Sequence, residues 1–95
     1  MRFLAVSRDK PLTPQAWNAT ATRLLRVEMA RRDVTFKELS RRLARFGVAL
    51  ENAQLSNKVN RGTFSLVFFL QCMQALDIEV RLTGREDEPK KLRGE

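Results

Sequence analysis

The sequence predicts an all-α domain of four to five short helices, with room for one short strand near the C-terminus. Three observations carry that expectation. Apolar residues recur at helical spacing over most of the chain, cap-forming residues stand where each run begins, and glycine stands where two of the runs end. Ninety-five residues can build one hydrophobic core but not two, so the expected organisation is an N-terminal arm over 1–12, a helical domain over 13–82 and a charged, flexible tail over 83–95.

Thr13 followed by Pro14 reads as an N-cap with proline at the first helical position, and no Gly or Pro interrupts the next seventeen residues. The first helix is therefore expected from Pro14 to Arg32. Its inward face is expected to hold Trp17, Ala21, Leu24, Leu25 and Met29, with Arg23, Arg26 and Arg31 turned elsewhere. Thr35-Phe36-Lys37-Glu38 fits a capping box, in which threonine hydroxyl and glutamate carboxylate satisfy each other's backbone amides. Phe36, Leu39, Leu43 and Phe46 then keep helical period, Gly47 closes the helix in a left-handed conformation, and Lys37, Arg41 and Arg45 lie outside.

After the short segment Val48 to Glu51, Asn52 to Arg61 reads as a third helix closed by Gly62. Inside the helix Asn52 would share the face of Leu55 and Val59, so the N-cap is its expected position. Ser65 caps a fourth helix, Leu66 to Leu76, that is apolar nearly all round. Leu66, Phe69, Leu70, Met73 and Leu76 form the expected core stripe, leaving Phe68, Cys72 and Ala75 on a second stripe to be covered by the N-terminal arm or another subunit. Ile78 to Leu82 alternates like a half-buried strand. That alternation and the second stripe together point to a homodimer.

Eighteen Lys and Arg against eleven Asp and Glu leave a net charge of +7, which draws polyanions to so small a body. Most of the excess is concentrated: from Arg23 through Arg61 ten basic residues face four acidic ones. Nucleic acid is the first expected partner. A membrane is not, because the longest nearly continuous apolar run, Leu66 to Leu70, falls far short of the roughly 20 residues a spanning helix needs. Phe3-Leu4-Ala5-Val6 is likewise too brief for a signal peptide, so the expected location is cytoplasmic. One cysteine and no histidine exclude an internal disulfide, a structural zinc site and the histidine-based hydrolase pairs, so no cofactor and no enzymatic chemistry are expected. Asp77 and Glu79 alone make a poor Mg²⁺ site.

Two helices joined by a glycine-containing turn can present the second helix to a major groove. Here that helix is the third, with Gln54, Asn57, Lys58 and Arg61 at spacing i, i+3, i+4, i+7 on its exposed face. Amides suit adenine, and cationic heads suit guanine or phosphate. Thr35-Phe36-Lys37-Glu38-Leu39-Ser40, Gly47 and Leu55-Ser56-Asn57-Lys58-Val59-Asn60-Arg61-Gly62 resemble the lambda-repressor-like, Cro-type helix-turn-helix family over about Ala19 to Ile78. LSNKVNRGTFS with FFLQCMQAL is also similar to short bacterial proteins carrying such a central domain. The resemblance implies sequence-specific binding of double-stranded DNA, usually as a dimer, in transcriptional control. It implies phosphate contact at Thr35, base or backbone contact at Gln54 and Asn57, and flanking roles for Lys58 and Asn60. The chain departs from the family in carrying Phe36 where glutamine is common, and in a longer stretch between Gly47 and Gly62.

The expected DNA-binding set is thus Thr35, Lys37, Arg41, Asn52, Gln54, Asn57, Lys58, Asn60 and Arg61. The rival readings are a protein-interaction module of the same fold, antitoxin-like or adaptor, and non-specific RNA or DNA binding by charge. A third leaves the basic faces as ordinary solvated surface.

Overall fold

The structure, a computed structural model, describes residues 13–84, and within them four helices and no strand. The expected arm over 1–12 and all but the first two residues of the expected tail lie outside the described residues. α1 spans Pro14–Arg31, α2 Phe36–Ala44, α3 Asn52–Arg61 and α4 Leu66–Ala75. All-α architecture with four helices agrees with the reading of the sequence. The segment after α4 does not: Ile78 to Leu82 is irregular, Ile78 alone packs on the core, and Val80 and Leu82 face solvent. Alternation describes a strand only where a partner strand accepts the ladder, and the described residues offer none.

The capping residues act largely as expected. Thr13 Oγ1 accepts from the Ala16 amide at 3.1 Å, Thr35 Oγ1 from Glu38 at 3.1 Å and Ser65 Oγ from Phe68 at 3.0 Å. In α2 only half of the box forms, because the Glu38 carboxylate turns to Arg41 and Arg42 instead of the Thr35 amide. Three helices end in a left-handed residue whose follower donates back to the last turn. The pairs are Val34 to Met29 after Asp33, Val48 to Leu43 after Gly47, and Ile78 to Met73 after Asp77. Asp77 is therefore a helix terminator, a role its φ of 62° makes plain.

α1 packs on α3, and α2 packs on both α3 and α4, around a core of Leu25, Met29, Val34, Leu39, Leu43, Leu55, Val59, Phe68, Cys72, Met73, Ala75 and Leu76. Phe64, in the link between α3 and α4, stacks on Phe69 at 6.4 Å and tilts against Phe68 at 5.7 Å. Phe36 packs on this core only partly buried, and Phe46, expected inside, is exposed beyond the end of α2. Ser40 donates its hydroxyl to the Leu50 carbonyl, tying the α2–α3 turn back to α2.

Two faces differ from expectation for identifiable reasons. On α1, Trp17 and Leu24 are exposed; the inward line runs Asn18, Thr22, Leu25, Met29, since α3 approaches closely enough for polar contact with α1. Thr22 Oγ1 donates to the Val59 carbonyl at 2.7 Å, and Asn18 abuts Gly62. On α4 the expected core stripe holds only in part: Met73 and Leu76 are buried and Phe69 packs on the core, but the second stripe is buried too. Phe68, Cys72 and Ala75 are buried with Met73 and Leu76, whereas Leu66 and Leu70 face out. Arg42 helps set this rotation by donating to the Ala75 carbonyl at 3.3 Å.

Candidate nucleic-acid interface

α3 buries only Leu55 and Val59. At about 100° per residue, Asn57 stands opposite the midpoint of that pair, with Arg61, Gln54, Ala53 and Asn60 beside it. All five are exposed, and α3 carries no carboxylate. The face expected from spacing is thus the face turned to solvent.

The individual side chains are less free than their exposure suggests. The true N-cap of α3 is Glu51, and Asn52 is the first residue inside the helix, a correction to its expected position. Asn52 does point along the core line, but the end of the helix leaves it exposed. Gln54 Oε1 accepts from the Glu51 amide at 2.9 Å, so its carbonyl serves the cap while its NH₂ stays available. Glutamine at the third helical position was the signal for this cap. Asn60 Oδ1 accepts from Arg26 Nη1 at 2.7 Å, and its amide reaches Ser56 Oγ at 3.3 Å. Lys58 folds back, with Nζ 5.1 Å from the centre of the Phe68 ring.

Arg26 closes a constellation the sequence reading did not single out. Its guanidinium lies 5.5 Å over the Phe36 ring while donating to Asn60, so one side chain of α1 bridges the start of α2 and the end of α3. Phe36, where the resembled family has glutamine, therefore serves as a platform for a cation.

Between α2 and the start of α3 runs an open groove of about 580 Å³, lined by Lys37, Ser40, Arg41, Ala44, Ala49, Leu50, Glu51 and Gln54. It brings Lys37, Arg41 and Gln54 together. Arg41 is held by Glu38 at 2.6 Å, and Arg42 takes the other carboxylate oxygen at 2.9 Å. Hydrogen bonds from Arg41 and then Arg42 hold the Glu38 carboxyl below its ordinary range. Thr35 is exposed at the mouth of α2 with its oxygen engaged by the Glu38 amide, which leaves the hydroxyl proton to donate. Lys37 and Arg61 make no ion pair among the described residues.

Cys72 is buried among apolar side chains, and loss of solvation pushes its thiol up to about 12, which silences it as a nucleophile. The described residues hold no cluster of three or more metal-ligating side chains. No described helix is long and apolar enough to cross a membrane.

Fold and site together define a small basic four-helix domain that turns an acid-free polar helix outward. The chain belongs to the family described as a domain of unknown function, DUF6471, which it matches over residues 17–80. That span covers all four helices apart from the first turn of α1. No curated protein and no solved structure matches the chain.

Proposed function

We propose that this domain binds double-stranded DNA sequence-specifically, with α3 as the reading helix, and acts as a cytoplasmic transcriptional regulator without enzymatic activity. The carrying observation is the outer face of α3. Asn57 and Arg61 stand clear there, without competing intramolecular partners among the described residues, on a helix with no negative charge. An exposed asparagine can pair with an adenine edge, and an exposed arginine with guanine or phosphate.

The neighbouring cations fit a supporting role. Lys37 and Arg41 flank Gln54 across the groove, and Thr35 offers a hydroxyl at the start of α2. Such groups fix register on the phosphate backbone and carry no sequence information themselves. The Gln54 NH₂ can still donate to a base acceptor or a phosphate.

Selection of bound fragments from random duplex DNA, followed by titration of the winner over a range of salt, tests the reading. An enriched motif is expected, with log affinity falling against log salt at a slope of about −5. Equal affinity for all duplexes would reduce the reading to charge alone. No retention even in dilute buffer would leave the fold as a protein-interaction module.

A further inference from the structure

Rotation of α4 into the core leaves an apolar surface that the DNA reading does not use. Leu66 is 70% exposed, Val67 65%, Leu70 45% and, from the end of α2, Phe46 52%. Phe46, Val67, Leu70, Gln71 and Gln74 line one open groove of about 330 Å³. Val67, Leu70, Gln71 and Gln74 follow the i, i+3, i+4, i+7 spacing of a helix face made to meet another helix. A contiguous patch of this kind on a small domain marks an interaction site.

Charge identifies the occupant. α1, α2 and α3 all carry basic side chains, whereas α4, LVFFLQCMQA, has no charged residue. Two copies of a chain at +7 repel each other over most of their surfaces. Repulsion is least where neutral α4 meets neutral α4. An acidic partner, in contrast, would be drawn to the basic side chains of α1 to α3; Arg42 and Arg45 border this face beside Phe46, whereas α4 itself offers no charge to such a partner. Gln71 and Gln74 complete the match, because an amide both donates and accepts and can therefore pair with its own copy across a two-fold axis.

We infer that the Phe46–Val67–Leu70 face is the interface for a second copy of this chain, a two-fold dimer centred on Val67 and Leu70. This face replaces the Phe68–Cys72–Ala75 stripe and the Ile78–Leu82 segment, which the fold buries or leaves irregular.

The test needs no nucleic acid, so it stands or falls separately from the DNA reading. Sedimentation equilibrium of the full chain is expected to show a dimer at tens of micromolar, a range set by affinity arithmetic for a modest interface. Val67→Glu with Leu70→Glu is expected to give a folded monomer with the helical circular dichroism of wild type, its melting temperature lowered by the lost association and no longer dependent on protein concentration. Val67→Cys adds a second readout: under mild oxidation it should cross-link copies to each other, with buried Cys72 silent. Trp17→Cys, exposed on α1, should not. A wild-type monomer at tens of micromolar, a dimer that survives both glutamates, or equal cross-linking from α1 and α4 would overturn the inference.

Discussion

Gly62 and Asn18 meet backbone to backbone: a Cβ on Gly62 would lie 2.0 Å from the Asn18 carbonyl oxygen and 2.6 Å from its carbonyl carbon. That approach seats the end of α3 against the first half of α1, and it helps fix the direction in which Asn57 and Arg61 project.

Replacing Gly62 with alanine thus combines two penalties. A left-handed φ of 72° costs an alanine about 1 kcal/mol, and the clash is with main chain, which cannot swing aside. A loss of about 3 kcal/mol or more in urea unfolding is expected, the sum of conformational and overpacking terms. Gly47 supplies the control, since its φ is 83° but nothing stands within 4 Å of its Cβ position. Gly47→Ala should cost only about 1 kcal/mol. Similar losses at both positions would refute a steric role for the Asn18 contact.

The two glycines also mark where the sequence was most readable. Helix starts at Thr13, Thr35 and Ser65, ends at Gly47 and Gly62, and the outward face of α3 follow from local rules, because a cap or a left-handed residue acts within one turn. The rotation of α4 could not be read this way. Both of its stripes are apolar, so periodicity offered two solutions, and the choice rests on long-range contacts such as Arg42 to the Ala75 carbonyl. For α1 the misreading was chemical. Asn18 and Thr22 line the inward face because they meet backbone, and a search for apolar residues moves past them to Trp17 and Leu24. Gln54 was legible as an exposed amide and Asn60 only as a flanking residue implied by the resemblance, and their hydrogen bonds to the Glu51 amide and to Arg26 depend on geometry that composition does not reveal.

Glu38 makes folding sensitive to acid. Arg41 and Arg42 hold its carboxyl below the ordinary 4.5 in the folded chain, and the unfolded chain lacks them. The folded value being depressed, the contribution is complete above about 4.5 and fades as pH falls through the folded value. Melting temperature should therefore drop between neutral pH and about pH 3 more steeply in wild type than in Glu38→Gln. Parallel pH profiles for the two proteins would show that the ion pairs have no net effect on stability.

Arg26 should couple three helices. Its ring contact with Phe36 and its hydrogen bond to Asn60 are both solvent-exposed, so each is worth little singly, about 0.5 to 1 kcal/mol. Arg26→Ala is expected to cost about 1 kcal/mol. A double-mutant cycle with Asn60→Ala should return a coupling of about 0.5 kcal/mol, and Arg26→Lys should rescue little, since an ammonium lacks the planar fork that stacks and donates together. Additive losses would mean that the pair is incidental.

Adjacent residues on α3 should part company in their effects. Lys58 spends its charge on the Phe68 ring at 5.1 Å, so Lys58→Ala should lower stability by about 0.5 to 1 kcal/mol and change the salt slope of binding by well under the full unit a phosphate contact would remove. Asn57 is exposed on the side of α3 opposite Leu55 and Val59, so Asn57→Ala should leave unfolding within about 0.5 kcal/mol of wild type. Its cost should appear instead in affinity for the selected duplex, about 1 to 3 kcal/mol, and hardly at all on random DNA. Stability and specificity are thereby assigned to neighbouring side chains, which a helix serving only as a charged rod could not do. Should Lys58→Ala weaken binding to every sequence while Asn57→Ala changes none, the outer face of α3 is a phosphate contact and the bases are read elsewhere.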